Sequence, residues 1–307
     1  MVTLVVSTTT DPASYGPGSA LSAMGNWNTG VSFQGIRSKV NGAVRLLEHD
    51  KGIVEEDHLD NRWEEVTGEV VDEIIFLSKH TAVTNRPALT IHPIGVPHLK
   101  EGDVPPQGGK PGWAAVPSPR MTPWLILLKK LAQSHNLVPE FEITLEATHH
   151  GPVTNKPTMF VEIGSTTECW NRQDAAQVIA QLVWEGLGIG GGEAIGNWNS
   201  CSMSGKKKVL MGLGGGHYVP RHMDIILKGG VCVGHLLSGY SLPMEEGGGG
   251  TWKHAIKASF DATLEGFPGG EVIAHLDQKS FKGWQKKAII EYLNEQNIKI
   301  GKPGDFC

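Results

Sequence analysis

Short runs of β-branched and other apolar residues recur along the whole chain, and most of them end at a glycine, a serine or a histidine. Runs of this composition, bounded by turn-forming residues, are typical of β-strands. They limit the chain to a fold with many short strands. We predict strands at Val2–Ser7, Glu73–Ser78, Ala88–His92, Glu142–Thr148, Thr158–Ile163, Lys208–Leu213, Gly230–Val233 and Glu271–His275.

Helical periodicity lies between several of these strands. Apolar residues recur at helical spacing in 122–135 and 172–185, and further helices are predicted from residue 220, over 251–264 and over 281–297. Strands that alternate with helices predict an α/β fold, which we expect to be a three-layer sandwich with a mixed, mostly parallel sheet. We expect one domain over residues 1–307, with long loops at about 95–119, 186–205 and 241–251.

The composition is that of a globular chain, with 39% hydrophobic and 19% charged residues among 307. A net charge of −5 gives no sign of a nucleic-acid partner, so any RNA contact requires a local basic patch. The four cysteines are scattered and form no C-x-x-C pair, which argues against disulfides and favours a reducing compartment. With neither a secretory signal nor a run near the ~20 apolar residues of a membrane span, we expect a cytoplasmic protein, with the nucleus as a further compartment.

Histidines follow many of the predicted strands, or end them. In open α/β sheets ligands bind beyond the carboxyl ends of the strands, so we expect these side chains to converge there. The histidines in such positions are His80, His92, His149, His150, His217 and His235.

Two glutamates accompany them. The two-residue period of the 142–148 strand places Glu146 on its polar face, away from Ile143 and Leu145. Glu162 lies between Val161 and Ile163, and a carboxylate inside an apolar strand needs a partner such as a metal ion or a metal-bound histidine.

Neutral imidazoles and carboxylates together suit zinc, which lowers the pKa of a bound water to about 7 and so provides a nucleophile for an ester. We predict the six histidines as candidate zinc ligands, for one or two ions. The predicted catalytic residues are Glu146, His149, His150 and Glu162. A single histidine is more often structural, and no H-E-x-x-H motif is present, but an adjacent histidine pair before Gly151-Pro152 has little packing rationale.

The glycine loop, residues Gly214–Gly216, follows a predicted strand and precedes Tyr218, Pro220 and Arg221. Glycines there allow close approach of the backbone to a ligand, and the following helix end favours an anion. We predict that these glycines, Tyr218 and Arg221 bind a phosphate of the substrate. The alternative is a strand–helix connection whose glycines serve geometry alone.

A basic stretch near the carboxyl terminus interleaves lysines with an aromatic residue. Such a pattern suits a nucleic-acid surface, by phosphate attraction and base stacking, although a solvated helix face is at least as common. The candidate residues are Lys282, Trp284, Lys286 and Lys287.

Several motifs in order resemble those of the plant and archaeal D-aminoacyl-tRNA deacylases. They are Phe76–His80, Ile91–Gly95, Glu146–Pro152, Phe160–Ser165, Gly214–Tyr218 and Gly234-His235. The resemblance implies hydrolysis of the ester between a D-amino acid and the tRNA 3′ end, zinc dependence, a fold akin to nucleoside phosphorylases and peptidyl-tRNA hydrolases, and a part in translation quality control, D-amino acid detoxification and tolerance to ethanol or aldehyde.

Two other readings of the same residues stay open at this point. One is a nucleosidase- or phosphorylase-like enzyme that acts on a small nucleoside, and the other is a non-catalytic tRNA-binding protein with structural histidines. We expect D-aminoacyl-tRNA as the partner, no membrane association and a monomer.

Overall fold

The computed structural model describes residues 1–199, 201–202 and 205–306. Positions 200, 203 and 204 of the predicted 186–205 loop, and Cys307, lie outside the described residues. None of the helices in the described ranges combines the length and the hydropathy that crossing a bilayer requires.

The strands form two main sheets. The larger one has the order β2-β3-β4-β1-β5-β8-β6-β7, with β1 (Val2–Thr8), β2 (Asn28–Thr29), β3 (Arg37–Asn41), β4 (Val44–His49), β5 (Val71–Lys79), β6 (Ala88–His92), β7 (Glu142–Leu145) and β8 (Thr158–Gly164). The smaller one has the order β12-β11-β13-β14, with β11 (Lys208–Leu213), β12 (Val231–Leu237), β13 (Glu271–Leu276) and β14 (Lys299–Ile300). A two-stranded ribbon, β9 (Cys201–Ser202) with β10 (Gly205–Lys206), lies between them in the sequence.

Eight α-helices occur in the described residues. They are α1 (Pro12–Ala23), α2 (Leu59–Thr67), α3 (Met121–Ser134), α4 (Thr167–Trp170), α5 (Gln173–Gly186), α6 (Pro220–Ile226), α7 (Trp252–Gly266) and α8 (Gly283–Glu295). The predicted α/β class with a mixed, mostly parallel sheet is confirmed, and the five predicted helices and eight predicted strands are all present with bounds shifted by a few residues. The sequence predicts one sheet, whereas the described strands form two main sheets and a two-stranded ribbon.

Helix α1 was missed because its sequence contains two prolines and two glycines, a composition typical of turns. Packing reverses that preference, because a Cβ on Gly18 would lie only 2.7 Å from Ser7 of β1. The glycine therefore allows close helix–strand contact, which stabilises a helix of poor intrinsic propensity.

The larger sheet has two different faces. One carries Ile75, Leu77 and Val161, which lie in a core with α1, α3 and α5. The other carries Phe76 and Phe160, whose rings stack 4.7 Å apart in a second core shared with α2. The polar side chains of the candidate site project from this second face.

The direction of β6 corrects one expectation. This strand runs antiparallel to β8, with His92 opposite Phe160, so its carboxyl end points away from those of β5 and β8. The histidines therefore do not gather at one carboxyl edge of the large sheet. They meet on its second face, where that face adjoins the smaller sheet.

The segment after β7 joins the two sheets. The amide of Glu146 donates to Ile91 of the large sheet, while the amide of Ala147 donates to the carbonyl of His217 and that of Thr148 to Leu236 of β12. Strand β7 consequently ends at Leu145 instead of Thr148, because the amides of Ala147 and Thr148 bond to His217 and to β12 and no longer to the large sheet.

Candidate functional site

Five histidines and two glutamates converge where the two sheets meet. The ring centroids of His92 and His149 lie 4.1 Å apart, those of His149 and His150 4.4 Å, and those of His149 and His217 4.8 Å. His80 joins them with its centroid 5.5 Å from that of His217. Residues from five separate segments thus form one cluster, which contains five of the six predicted histidines.

Strand register explains how the large sheet contributes. Ser78 pairs with Glu162 across β5 and β8, and Thr90 pairs with Glu162 across β8 and β6. These three polar side chains form one row on the second face. His92 lies one step further along β6, opposite Phe160.

Glu146 lies at the centre of the cluster and is fully buried. Its Oε2 accepts a hydrogen bond from Nε2 of His217 at 2.6 Å and lies 3.7 Å from Nε2 of His149. Its Oε1 lies 3.1 Å from Nδ1 of His80, a close contact whose alignment falls short of a hydrogen bond. This oxygen therefore has capacity for a further ligand.

The two carboxyl groups have opposite pKa shifts. Burial raises the pKa of Glu146, but the hydrogen bond from His217 and the nearby imidazoles outweigh it and hold that pKa well below the usual range. Burial raises the pKa of Glu162 well above its usual range, and the negative charge of Glu146 adds to the effect. The two carboxyl groups of the site therefore differ in their tendency to ionise, Glu146 being the stronger acid.

Three histidines have the same ring arrangement. The Nδ1–H groups of His92, His149 and His150 point at the backbone carbonyls of Pro93, Ala147 and Gly151, at 3.2, 2.8 and 2.6 Å. Each ring then presents Nε2 with its lone pair.

Burial keeps all three rings neutral. It lowers the pKa of His92 to about 4 and that of His150 to about 3, and it lowers the pKa of His149 well below its usual value. Neutral imidazoles with free lone pairs are metal ligands, and backbone carbonyls commonly fix such rings by accepting the other N–H.

The residues present fit a metal ion. Ligand atoms lie within 4.8 Å of one another in three sets: His92 with His149 and His150; His80 with Glu146 and His217; and His92 with Glu146 and Glu162. Two of the nitrogen and oxygen atoms in these sets, Nε2 of His92 and Oε1 of Glu146, are buried and have no hydrogen-bond partner among the described residues. Buried polar atoms seldom lack partners, and a cation among these donors would satisfy both.

His235 lies apart from these sets. It is buried inside β12, where the Thr148 hydroxyl bonds to its Nδ1 at 2.9 Å and its Nε2–H donates to the Ala115 carbonyl at 2.7 Å. Both ring nitrogens are engaged, so His235 supports the joint between the sheets and offers no free lone pair.

The glycine loop borders the cluster through His217 and Tyr218. Gly214 and Gly215 have φ of 94° and 93°, values that favour glycine, and a Cβ on Gly214 would lie 2.7 Å from Phe281. Their amides donate to the Leu237 carbonyl and to Oγ of Ser280. Gly216 faces open space.

Tyr218 and Arg221 are the other two residues predicted to bind a phosphate of the substrate. The Tyr218 hydroxyl bonds to Nε2 of His80 at 2.8 Å. Arg221 is exposed and forms an ion pair with the buried Asp277 at 3.0 Å.

The basic stretch begins beside the glycine loop, since Ser280 and Phe281 contact it. Lys282, Trp284 and Lys287 are exposed at the start of α8, and Lys286 is half-buried. The start of α8 therefore lies on the same side of the molecule as the glycine loop.

Tyr240 is a site residue that sequence reasoning missed. Its hydroxyl lies 2.9 Å from Nδ1 of His217. No sequence signal marks it, because it sits in a short 3₁₀ turn, Gly239–Ser241, between a strand and a loop.

Several known proteins are similar to this chain. Residues 67–301 match the model of a family described as D-aminoacyl-tRNA deacylase. The chain is 65% identical to a D-aminoacyl-tRNA deacylase of Arabidopsis thaliana over the whole of both chains, and 34% identical to one of Aeropyrum pernix over 74% of each. A crystal structure of a conserved protein of unknown function, 27% identical, superposes with a TM-score of 0.77 and covers 99% of this chain and 96% of its own.

Proposed function

The chain belongs to the D-aminoacyl-tRNA deacylase family and is a hydrolase of ester bonds, and from that premise we propose that its His/Glu cluster catalyses the reaction with zinc and water. The substrate is D-aminoacyl-tRNA, and the products are the free D-amino acid and tRNA. Family membership decides against the nucleosidase reading and against a non-catalytic tRNA-binding protein.

The observation that carries this proposal is the common arrangement of His92, His149 and His150. Three neutral imidazoles, each held by a backbone carbonyl, present Nε2 toward one another beside an ionised carboxylate. A bound zinc ion would supply a Lewis acid that lowers the pKa of a water molecule to about 7. His80, His217 and Glu146 form a second set for such an ion.

Glu146 is the general base in this proposal. Its carboxylate is fully buried and its Oε2 lies 2.6 Å from Nε2 of His217, so it is placed among the candidate ligands to take a proton from an attacking water. Glu162 orients its neighbours, since its Oε2 lies 3.7 Å from both Nδ1 of His80 and Nε2 of His92.

The substrate enters from the side of the glycine loop and the α8 helix. Gly216 leaves room for a nucleotide to approach His217 and Tyr218, and Arg221 lies on the next helix. Lys282, Trp284, Lys286 and Lys287 extend this surface with positive charge and one exposed aromatic ring, which suits phosphates and an unpaired base.

The test compares His149→Ala with His135→Ala, a histidine at the end of α3 that bonds to Gln181 away from the cluster. Loss of the ester of D- and L-tyrosyl-tRNA is followed with and without a chelator, and metal content is measured by mass spectrometry. We expect His149→Ala to abolish D-specific turnover and lower the metal content, with His135→Ala unchanged. Near-normal turnover by His149→Ala would overturn the site, and chelator-insensitive native activity would overturn the metal.

A further inference from the structure

Two tyrosines lie on either side of the central Glu146, and each is separated from it by one histidine. We propose that Tyr240 and Tyr218 are positioning residues of the hydrolytic site, which hold the rings of His217 and His80 so that each presents a fixed nitrogen to Glu146. The inference rests on the proposed function for its activity measurement, and it deepens that function by assigning roles to two phenol groups.

Five side chains lie in contact in one row, with hydrogen bonds at three of the four steps and a close His80–Glu146 contact at the fourth. Tyr240 lies 2.9 Å from Nδ1 of His217, whose Nε2 lies 2.6 Å from Oε2 of Glu146. On the other arm Tyr218 lies 2.8 Å from Nε2 of His80, whose Nδ1 lies 3.1 Å from Oε1 of the same glutamate. In His217, Nδ1 faces the tyrosine and Nε2 faces the glutamate, whereas in His80 the two nitrogens are exchanged. Because each ring is contacted at both nitrogens, its orientation is defined.

The hydrogen-bond requirements of the two imidazole rings explain the role of the tyrosine hydroxyls. A carboxylate only accepts, so Nε2 of His217, which donates to Glu146, carries a proton, and the outer nitrogen of a neutral ring is then a bare acceptor. Nδ1 of His80 faces the same carboxylate and takes the same state when it donates to it. A phenol hydroxyl donates to that outer nitrogen. The same hydroxyl can accept if the outer nitrogen carries the proton, as it does when a histidine ligates a metal, whereas a phenyl ring can do neither.

Burial makes the two arms unequal. The His80 side chain is 2% exposed, so without Tyr218 its outer nitrogen would stay unpaired. The His217 side chain is 32% exposed, so water can partly replace Tyr240. We therefore expect the larger effect at Tyr218.

Packing does not explain Tyr240. Its side chain is 57% exposed, yet its hydroxyl points inward to His217. The turn that carries it is fixed at both ends, since Ser238 caps the turn and the Gly239 amide donates to the Gly215 carbonyl. A residue retained for core packing would bury its ring, whereas Tyr240 is largely exposed and its hydroxyl bonds to His217.

The test uses Tyr240→Phe and Tyr218→Phe, with Tyr15→Phe as the matched control on α1, where the side chain is 46% exposed and outside the cluster. We expect kcat for D-tyrosyl-tRNA to fall about 10-fold for Tyr240→Phe and nearer 100-fold for Tyr218→Phe, with KM within about twofold. Tyr15→Phe should keep both constants. A rise in KM at constant kcat would overturn the proposal, because it would mean that the tyrosines contact the substrate instead.

A second readout needs no turnover. In protein labelled with ¹⁵N at histidine, the ring nitrogen shifts of His217 should change in Tyr240→Phe and those of His80 in Tyr218→Phe, since each ring gains access to its other tautomer. The double variant Tyr240→Phe/His217→Gln should be no slower than His217→Gln alone. Unchanged ring shifts would refute the positioning role even if the zinc mechanism holds, and changed shifts would support it even if the zinc mechanism fails.

Discussion

Gly164, the last residue of β8, is where a single methyl group should disturb the site most directly. A Cβ at this position would lie 2.7 Å from Cδ2 and 2.8 Å from Cβ of His80. Carbon atoms in contact normally sit about 3.5–4.0 Å apart, so Gly164→Ala requires His80 to move by roughly 0.8 Å or more. His80 cannot move without changing its contacts with Glu146 and Tyr218.

The expected magnitudes follow from that displacement. Overpacking of a well-packed core costs about 1–3 kcal/mol of unfolding free energy. Misplacement of a catalytic group by about 1 Å can slow a reaction ~100-fold, which corresponds to about 2.7 kcal/mol in the barrier. Gly164→Ala should therefore remain folded while kcat falls about 100-fold.

Gly283→Ala is the control, because a Cβ there meets no atom within 4 Å at the start of α8. Steady-state hydrolysis of D-tyrosyl-tRNA and urea unfolding are measured for both variants. We expect Gly283→Ala to keep its activity and its stability. Wild-type kcat in Gly164→Ala would refute the view that the position of His80 limits the reaction.

Three further variants test other features. Burial lowers the pKa of His222 to about 4, so between pH 6.5 and 4 the unfolded chain binds a proton that the folded chain does not, and stability falls as the pH falls by about 1.4 kcal/mol per unit. His222→Gln should flatten the pH dependence of urea unfolding by that amount, and an unchanged slope would contradict it. Arg120→Met leaves the buried Glu73 with a hydrogen bond from Ser118 but without its ion-pair partner at 2.5 Å, and should cost about 3–5 kcal/mol in the same assay, part of which Glu73→Gln should restore. Lys286→Gln with Lys287→Gln should reduce the slope of log KM against log salt by about 1 per phosphate contact, and an unaltered slope would exclude both lysines from the RNA surface.

Much of the site could be predicted because its residue types follow local patterns. Glu146 alternates with apolar neighbours, and Glu162 stands alone in an apolar strand, so both signals survive without tertiary information. The adjacent His149 and His150 precede a glycine and a proline, which mark a turn. These patterns identify the side chains that can act as acids, bases or metal ligands.

Other members could not be predicted, for identifiable reasons. His235 follows a glycine at a predicted strand end just as His217 does, but β12 continues to Leu237, and Thr148 and Ala115 engage both of its nitrogens. Tyr240 carries no pattern because its role depends only on the partner its hydroxyl meets.

The sequence by itself determined eight of the fourteen strands and five of the eight α-helices in the described residues, and the His/Glu chemistry, because apolar periodicity and turn residues act over a few neighbouring positions. Tertiary structure decided that β6 runs antiparallel to β8, that the strands divide into two sheets, and that the segment after Leu145 joins them. It also decided the opposite pKa shifts of Glu146 and Glu162. Strand direction depends on hydrogen bonds between distant segments, and a pKa depends on the groups that exclude water around the titrating atom. A local run of residues therefore predicts neither.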